Sequence, residues 1–307
     1  MDFNEENSAD VVVASLSTMR EEDARLKEIL TSAIRHMHAF VRETRLTTAE
    51  WEAGIEFLTA VGQTCTDTRQ EFILFSDSMG VSMLVETING AEGEIREWDD
   101  LSPTASTVMG PFHMTVSPER QLGDLINDTG RGEPLVVEGS VTDLEGNPLA
   151  GARVDTWQSD GEGFYDVQVD YLPPGTGRGV FTTDEGGYFW YRSVMPRHYP
   201  MPVDGPGGAL VVREGRDIYR PAHLHFIAEA DGYQSLTTHA FVSDCPYIER
   251  DVVFAVKRSL IRDFVTIDDP EEAARFGVAS PFRHVRFDIV LAPSETTVES
   301  GYQGVQT

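Results

Sequence analysis

One segment of the chain combines residue types and a spacing that can bind a metal ion. Residues 220–226 read Arg-Pro-Ala-His-Leu-His-Phe, and their composition is typical of a β-strand. Because alternate residues of a strand share one face, we expect His223 and His225 to point the same way, close enough together to bind one ion. Two partly buried, hydrogen-bonded histidines would give the same pattern, so this segment alone leaves a structural role open.

Two loops supply polar groups that could complete such a site. Tyr165 ends the loop of residues 157–165, and Tyr199 lies in the loop of residues 195–200, each after a predicted strand. Loops on a rigid sheet commonly present functional groups. Each tyrosine taken alone could equally be a loop residue whose hydroxyl faces water. No His-x-Asp/Glu pattern accompanies the histidines, which disfavours a ferrous site of two histidines and one carboxylate.

The composition excludes several kinds of partner. The 307 residues include 51 acidic and 24 basic residues, which gives a net charge of −27. Such a surface repels phosphate backbones and anionic lipids, so we expect no binding to nucleic acid. No stretch approaches the roughly 20 apolar residues that span a bilayer, so we expect no membrane insertion.

The two cysteines, Cys65 and Cys245, are too few for a disulfide framework or a four-thiolate zinc site. We therefore expect both thiols to be reduced. The N-terminal sequence is acidic and lacks the basic region of a signal peptide. Together these features predict a cytoplasmic protein. The sequence assigns no role to either thiol.

The first hundred residues have the periodicity of amphipathic helices. Thr18 and Glu21 have the spacing of a capping box before an apolar face that continues to Val41, and Thr47 and Glu50 repeat this start signal. A third helical run covers residues 68–88, and Gly80 indicates a joint within it.

From about Pro134 the pattern changes to short strands separated by turns that are rich in glycine and proline. We expect a further helix over residues 248–264. The predicted fold class is mainly β with α, an antiparallel β-sandwich of residues 106–307 preceded by a helical segment of residues 1–105. The predicted strands are residues 136–141, 152–157, 180–183, 187–194, 222–230, 236–243 and 283–291.

The sequence resembles the intradiol ring-cleaving dioxygenases, the catechol 1,2-dioxygenase group of non-haem ferric enzymes. The matching stretches are residues 137–165, 178–206 and 220–226. The resemblance extends over nearly all of the chain, including the N-terminal helices. Within this family, the chain is most similar to the members that cleave hydroxyquinol, 1,2,4-trihydroxybenzene. This similarity lies in residues 109–113, 163–168, 199–206 and 237–239.

The resemblance implies that Tyr165, Tyr199, His223 and His225 bind one Fe(III) ion. This ligand set is chemically reasonable, because a trivalent cation favours the phenolate form of tyrosine, and two phenolates with two neutral imidazoles suit a hard ferric ion. The resemblance also implies three catalytic residues. Arg220 would stabilise negative charge beside the substrate ring, Tyr199 would accept a substrate proton, and His239 would hydrogen-bond the substrate or oxygen without binding the metal.

By the same resemblance the substrate pocket is mostly apolar. Asp77 would accept a hydrogen bond from the third hydroxyl of hydroxyquinol and so discriminate against catechol. The residues assigned to substrate binding are Leu74, Asp77, Val108, Met109, Gly110, Pro111, Phe112, Pro200, Met201, Pro202 and Arg220.

The expected activity is the cleavage of hydroxyquinol by O2 to 3-hydroxy-cis,cis-muconate, the tautomer of maleylacetate, in aromatic catabolism. Two alternatives stay open: a catechol or chlorocatechol 1,2-dioxygenase, and a non-catalytic β-sandwich binding module, because the strand–turn–strand pattern alone would suit such a module. The resemblance further implies a homodimer formed through the N-terminal helices, with a phospholipid bound at their interface.

Overall fold

The computed structural model describes residues 2–66, 69–90, 102–113 and 116–294. Residues 2–60 belong to one compact unit, and the described residues from 61 to 294 belong to a second. The division of the chain at residue 105 stays a prediction. In the described part of the chain, no helix is both long enough and apolar enough to cross a membrane.

The first unit is helical. It contains α1 (Ser8–Ser15), α2 (Ala24–Thr44) and the start of α3 (Thr48–Thr64). The predicted capping box of α3 is confirmed, since Thr47 N donates to Glu50 Oε2 over 2.9 Å and Glu50 N donates to Thr47 Oγ1 over 3.3 Å. The box predicted at Thr18 is wrong, because the Thr18 hydroxyl donates to Ser15 O at the end of the preceding turn.

Helix α2 has no buried residue, although one of its faces is apolar. Met37 and Phe40 are 58% and 55% exposed, and Trp51 of α3 is also 55% exposed. Large apolar side chains on one helix face are normally covered by other protein or by lipid.

The second unit begins with a helix pair, α4 (Glu71–Ser78) and α5 (Val81–Asn89). Gly80 separates them in the left-handed conformation, with φ +72°, which confirms the predicted joint. Residues other than glycine are strained in this region, so the glycine is required by the turn.

Two five-stranded sheets form the rest of the unit. The strands of the unit are β1 (Pro134–Thr142), β2 (Arg153–Gln158), β3 (Arg178–Thr182), β4 (Tyr188–Val194), β5 (Tyr199–Pro200), β6 (Tyr219–Arg220), β7 (His223–Glu229), β8 (Leu236–Val242), β9 (Ile261–Arg262), β10 (Val265–Ile267), β11 (Phe282–Arg286) and β12 (Ile289–Val290). The first sheet has the order β10-β11-β1-β12, with β4 also paired to β1, and the second has the order β3-β2-β7-β8-β9. A short ladder pairs β5 with β6.

The apolar core lies between the two sheets. Phe181 stacks on Tyr191 with ring centres 5.1 Å apart, and Phe189 meets Phe226 edge to face at 6.2 Å. The predicted β-sandwich with N-terminal helices is thereby confirmed. Its pairs are mostly antiparallel, but β11 and β12 both run parallel to β1, and β9 runs parallel to β8.

The last predicted strand, residues 283–291, is divided in two. Asp288 Oδ1 accepts hydrogen bonds from the N–H and the hydroxyl of Ser140, at 2.9 and 2.8 Å. Between β11 and β12, this side chain replaces the backbone hydrogen bond that would continue the ladder with β1.

The helix predicted over residues 248–264 is wrong. The Asp251 carboxylate accepts the backbone N–H groups of Val253 and Ala255, and Phe254 between them has φ +60°. This turn prevents a helix, and only residues 258–260 form a short 3₁₀ turn. Two helices that were not predicted, α6 (Pro206–Arg213) and α7 (Pro270–Phe276), both begin with proline at their first position.

Candidate metal centre

Strand β7 brings the two histidines together as the sequence predicts. His223 and His225 lie on one face, and their Nε2 atoms are 2.9 Å apart. Both side chains are buried, with exposures of 2% and 1%. His223 Nδ1 donates a hydrogen bond to Pro221 O over 2.6 Å, which leaves the lone pair of its Nε2 facing His225.

The two tyrosines meet the histidines from separate loops. The Tyr165 hydroxyl lies 2.9 Å from His225 Nε2 and 3.3 Å from the Tyr199 hydroxyl. The loop that carries Tyr165 is fixed by Asp160, whose Oδ1 accepts from the N–H groups of Glu162 and Phe164, both at 2.9 Å. Tyr199 is held by the β5–β6 ladder.

Four potential ligand atoms therefore converge on one small region. Their neighbouring separations of 2.9 to 3.3 Å match atoms that share one metal at about 2.0–2.1 Å, which lie about 3 Å apart. The donor set of two phenols and two imidazoles suits a hard trivalent ion. The residues present fit a ferric ion.

Burial fixes the charge states of these groups in the absence of a metal. It lowers the pKa values of His223 and His225 well below the ordinary value of 6.5, so both imidazoles are neutral. Burial also raises the pKa of Tyr165 well above 10, and that of Tyr199 in the same direction. A bound cation is needed to make the phenolates stable at neutral pH.

Arg220 lies directly across the ladder from Tyr199. Its Nη1 is 3.5 Å from the Tyr199 hydroxyl, and its Nε is 3.4 Å from Asp251 Oδ1. Arg220 and Asp251 are buried, with side-chain exposures of 3% and 2%. Asp251 was not predicted as a site residue, because it lies inside the segment that was predicted to be helical.

His239 lies on β8, directly opposite His225. Its ring centre is 4.2 Å from that of His225 and 4.7 Å from that of His223. Neither ring nitrogen of His239 has a hydrogen-bond partner among the described residues. One possible ligand atom from each of the three histidines lies within 4.8 Å of the others, so these residues form an alternative metal-binding group.

Two residues of the predicted pocket contact the centre. The Phe112 ring stacks on Tyr165 with centres 4.5 Å apart. Gly110 has φ +76°, and a Cβ there would lie 3.4 Å from His225 Cε1 and 3.5 Å from Arg220 Nη1.

The other predicted pocket residues have varied surroundings. Asp77 is 2% exposed and close enough to interact electrostatically with Arg220 and Asp251. Leu74, Val108 and Met201 belong to the main apolar cluster. Met109 is 45% exposed. Pro111 and Pro202 are half-buried, and Pro200 is exposed. Their contacts with substrate stay predictions.

Two family models match the chain. The model described as "Catechol dioxygenase N terminus" covers residues 23–95, and the one described as "Dioxygenase" covers residues 108–293. The chain therefore belongs to the intradiol ring-cleavage dioxygenase family.

Relatives with assigned activities cover nearly the whole chain. A hydroxyquinol 1,2-dioxygenase of Rhizobium is 46% identical, over 94% of this chain and 96% of the relative. A 6-chlorohydroxyquinol 1,2-dioxygenase of Cupriavidus pinatubonensis is 45% identical, over 87% and 94% of the two chains. The crystal structure of hydroxyquinol 1,2-dioxygenase from Pseudomonas putida superposes with a TM-score of 0.84 at 39% identity, and covers 94% of this chain and 99% of its own.

Proposed function

We propose that the protein is a ferric intradiol dioxygenase that cleaves hydroxyquinol with O2 to 3-hydroxy-cis,cis-muconate, the tautomer of maleylacetate. The observation that carries this proposal is the convergence of two tyrosine hydroxyls and two histidine nitrogens at separations of 2.9 to 3.3 Å. The choice of substrate is supported by four relatives named hydroxyquinol 1,2-dioxygenase, which are 40–46% identical to this chain.

The proposed iron ligands are Tyr165, Tyr199, His223 and His225. When bound, ferric iron supplies Lewis-acid binding of the two adjacent ring hydroxyls and activates the ring towards O2. The alternative group with His239 contains three neutral ligands and would leave the charge of a trivalent ion uncompensated. The tyrosines cancel two of its three charges, which favours the proposed set.

The chain's own residues manage the proton and the charge of the substrate. The Tyr199 Oη accepts a proton from a substrate hydroxyl as the diol binds. Arg220 Nη1, which lies 3.5 Å from this oxygen, stabilises the negative charge that develops beside it. Because a guanidinium does not lose its proton in a protein, its charge is constant over the pH range of catalysis. His239, with both nitrogens unpaired within the described structure, is available to hydrogen-bond the substrate or oxygen.

Asp77 is proposed to select hydroxyquinol over catechol. Its buried carboxylate accepts a hydrogen bond from the third hydroxyl, and catechol, which lacks that hydroxyl, would lose this contact. Other residues proposed to line the pocket are Leu74, Val108, Met109, Gly110, Pro111, Phe112, Pro200, Met201 and Pro202.

The experiment is product analysis after incubation of iron-loaded protein with hydroxyquinol, catechol and chlorocatechols under ¹⁸O2. We expect ring-cleaved product carrying two labelled oxygens, and the highest kcat/KM on hydroxyquinol. A higher kcat/KM on catechol or a chlorocatechol would refute the substrate assignment while preserving the reaction type.

One variant and one matched control test the site. Tyr165→Phe should abolish turnover. Tyr188 lies on β4 and its hydroxyl donates to Glu138, so the control Tyr188→Phe should not change turnover. A protein that turns over none of these phenols and binds no iron would support a non-catalytic binding module instead.

We also propose a homodimer formed through the N-terminal helices, with a phospholipid at the interface. The support is the exposed apolar face of α2, where Met37, Phe40 and Val41 are 45–58% exposed. Light scattering after size-exclusion chromatography should give twice the mass of 34.0 kDa, and mass spectrometry of a solvent extract should detect the lipid. A mass of one chain would contradict the dimer.

We further propose that the enzyme acts in the cytoplasm. The support is the cysteine content of the chain, because two cysteines are too few for the disulfide framework of a small secreted domain. Fractionation of the source cells tests this, and enzyme found outside the cytoplasmic fraction would contradict it.

A further inference from the structure

We propose that Trp157 is a positioning residue that fixes the orientation of the His225 imidazole by ring stacking. This inference rests on the proposed function, because it takes His225 to be an iron ligand. It assigns to an aromatic side chain the task that a hydrogen bond performs at the other histidine.

The stacking geometry is close to ideal. Trp157 of β2 is paired directly with His225 of β7, so both side chains lie on one face of the sheet. Their rings are 11° from parallel, with centres 4.5 Å apart. Both residues are buried, at 0% and 1% exposure, so solvent does not compete for either ring.

The two histidines of β7 are held in different ways. His223 donates from Nδ1 to Pro221 O, which fixes both its tautomer and its ring plane. His225 Nδ1 has no hydrogen-bond partner in the part of the chain that the structure describes. Metal-binding histidines almost always use their second nitrogen in such a bond. The stack on Trp157 therefore supplies the orientation that His225 lacks from hydrogen bonding.

The indole contributes its ring face rather than its polar group. Trp157 Nε1 is buried and also has no partner among the described residues, although burial of an unpaired N–H is unfavourable. The described contacts of Trp157 with His113 and His225 are made by its aromatic surface.

The surroundings of Trp157 keep its indole in place. His113 packs on it with ring centres 4.3 Å apart, and His113 Nε2 is in turn 3.2 Å from Asp155 Oδ2. Across the sheet, Trp157 is paired with Arg178, whose guanidinium forms a buried ion pair with Asp166 at 2.7 Å. An indole confined on these sides can confine the imidazole that stacks on it.

The test compares Trp157→Phe and Trp157→Leu with Trp190→Leu as the matched control. Trp190 lies on β4 of the other sheet and packs on Phe276, with ring centres 5.5 Å apart. Three quantities are measured: Fe(III) affinity by competition with a chelator, the tyrosinate-to-iron absorption band, and the thermal unfolding midpoint of the iron-free protein.

We expect Trp157→Leu to weaken iron binding by about 10- to 100-fold and to shift the absorption band, the effect typical of losing a group that orients a metal ligand. Trp157→Phe keeps a ring in the stack, so its iron affinity should stay within about threefold of the wild type. Trp190→Leu should lower the thermal midpoint without changing the iron affinity or the band.

Unchanged iron binding in Trp157→Leu would overturn the inference. So would equal losses in Trp157→Phe and Trp157→Leu, since these would indicate side-chain volume rather than stacking. An equal loss in Trp190→Leu would indicate general destabilisation and would also overturn it. Wild-type protein that binds no iron would refute the proposed function, and the inference with it.

Discussion

The ion pair of Arg220 and Asp251 offers a quantitative test of how the structure holds its proposed catalytic cation. Asp251→Asn keeps the shape of the side chain but removes the only charge at 3.4 Å from Arg220 Nε that the described contacts provide. The guanidinium would then be buried without the carboxylate that contacts it, although the Asp77 carboxyl still interacts with it electrostatically. Asp251 also accepts two backbone N–H groups, so part of the surrounding turn would be loosened.

The expected loss of stability in Asp251→Asn follows from the burial of this ion pair. At an effective dielectric constant of about 20, two unit charges 3.4 Å apart interact by about 5 kcal/mol. Removal of one partner from a buried pair typically costs about 3–5 kcal/mol, because the other charge is left uncompensated. We therefore expect Asp251→Asn to lower the free energy of unfolding by about 3–5 kcal/mol. The kcat/KM should also fall, since Arg220 Nη1 is no longer held beside Tyr199.

The assay is a double-mutant cycle in urea with Asp251→Asn, Arg220→Met and the double variant. We expect a coupling energy of about 2–3 kcal/mol, since the double variant leaves no unpaired charge. The control is the pair of Arg250 and Asp217, which is shorter, at 2.8 Å, but 58% and 35% exposed. Its coupling should be below about 1 kcal/mol. Equal couplings for the two pairs would refute the reasoning that burial decides the strength.

Three further substitutions test other carboxyl groups of the protein. Burial raises the pKa of Asp77, so the folded state binds the carboxyl proton more tightly than the unfolded state and loses stability as the pH rises through the carboxyl range. Asp77→Asn should therefore raise the thermal unfolding midpoint at pH 7 but not near pH 3. A lower midpoint at pH 7 would contradict this. Asp143→Asn should act in the opposite direction, because hydrogen bonds from Asn147 lower the pKa of Asp143. The Glu71 carboxylate is fully buried and accepts hydrogen bonds from Gly207 N at 2.9 Å and from Arg69 Nε at 3.0 Å. Glu71→Gln should therefore lower the free energy of unfolding, measured in urea, by about 1.5–3 kcal/mol. An unchanged free energy of unfolding would show that these hydrogen bonds do not stabilise the fold.

The sequence predicts the strands well because their signals are local. The alternation around His223 and His225 and the turn residues that bound β1 and β2 need no knowledge of distant contacts. The start of α3 at Thr47 and Glu50 is local in the same way, since both capping bonds form within four residues.

The features that sequence reasoning missed depend on long-range contacts or on side-chain competition. Asp251 folds residues 251–255 into a turn with its own carboxylate, so the apolar spacing that favours a helix there is overridden. The stack of Trp157 on His225 depends on the register of β2 against β7, which joins residues 68 positions apart, and no local pattern reports that register. The ligand roles of Tyr165 and Tyr199 came from resemblance, since loop conformation decides where these hydroxyls point.

The most direct test of the central claim is a crystal structure of the iron-loaded protein with anomalous diffraction data at the iron edge. We predict a single iron peak bonded to the hydroxyl oxygens of Tyr165 and Tyr199 and to Nε2 of His223 and His225, in crystals coloured by tyrosinate-to-iron charge transfer. Iron bound instead by His223, His225 and His239 in colourless crystals, with both tyrosine hydroxyls turned away, would contradict the claim.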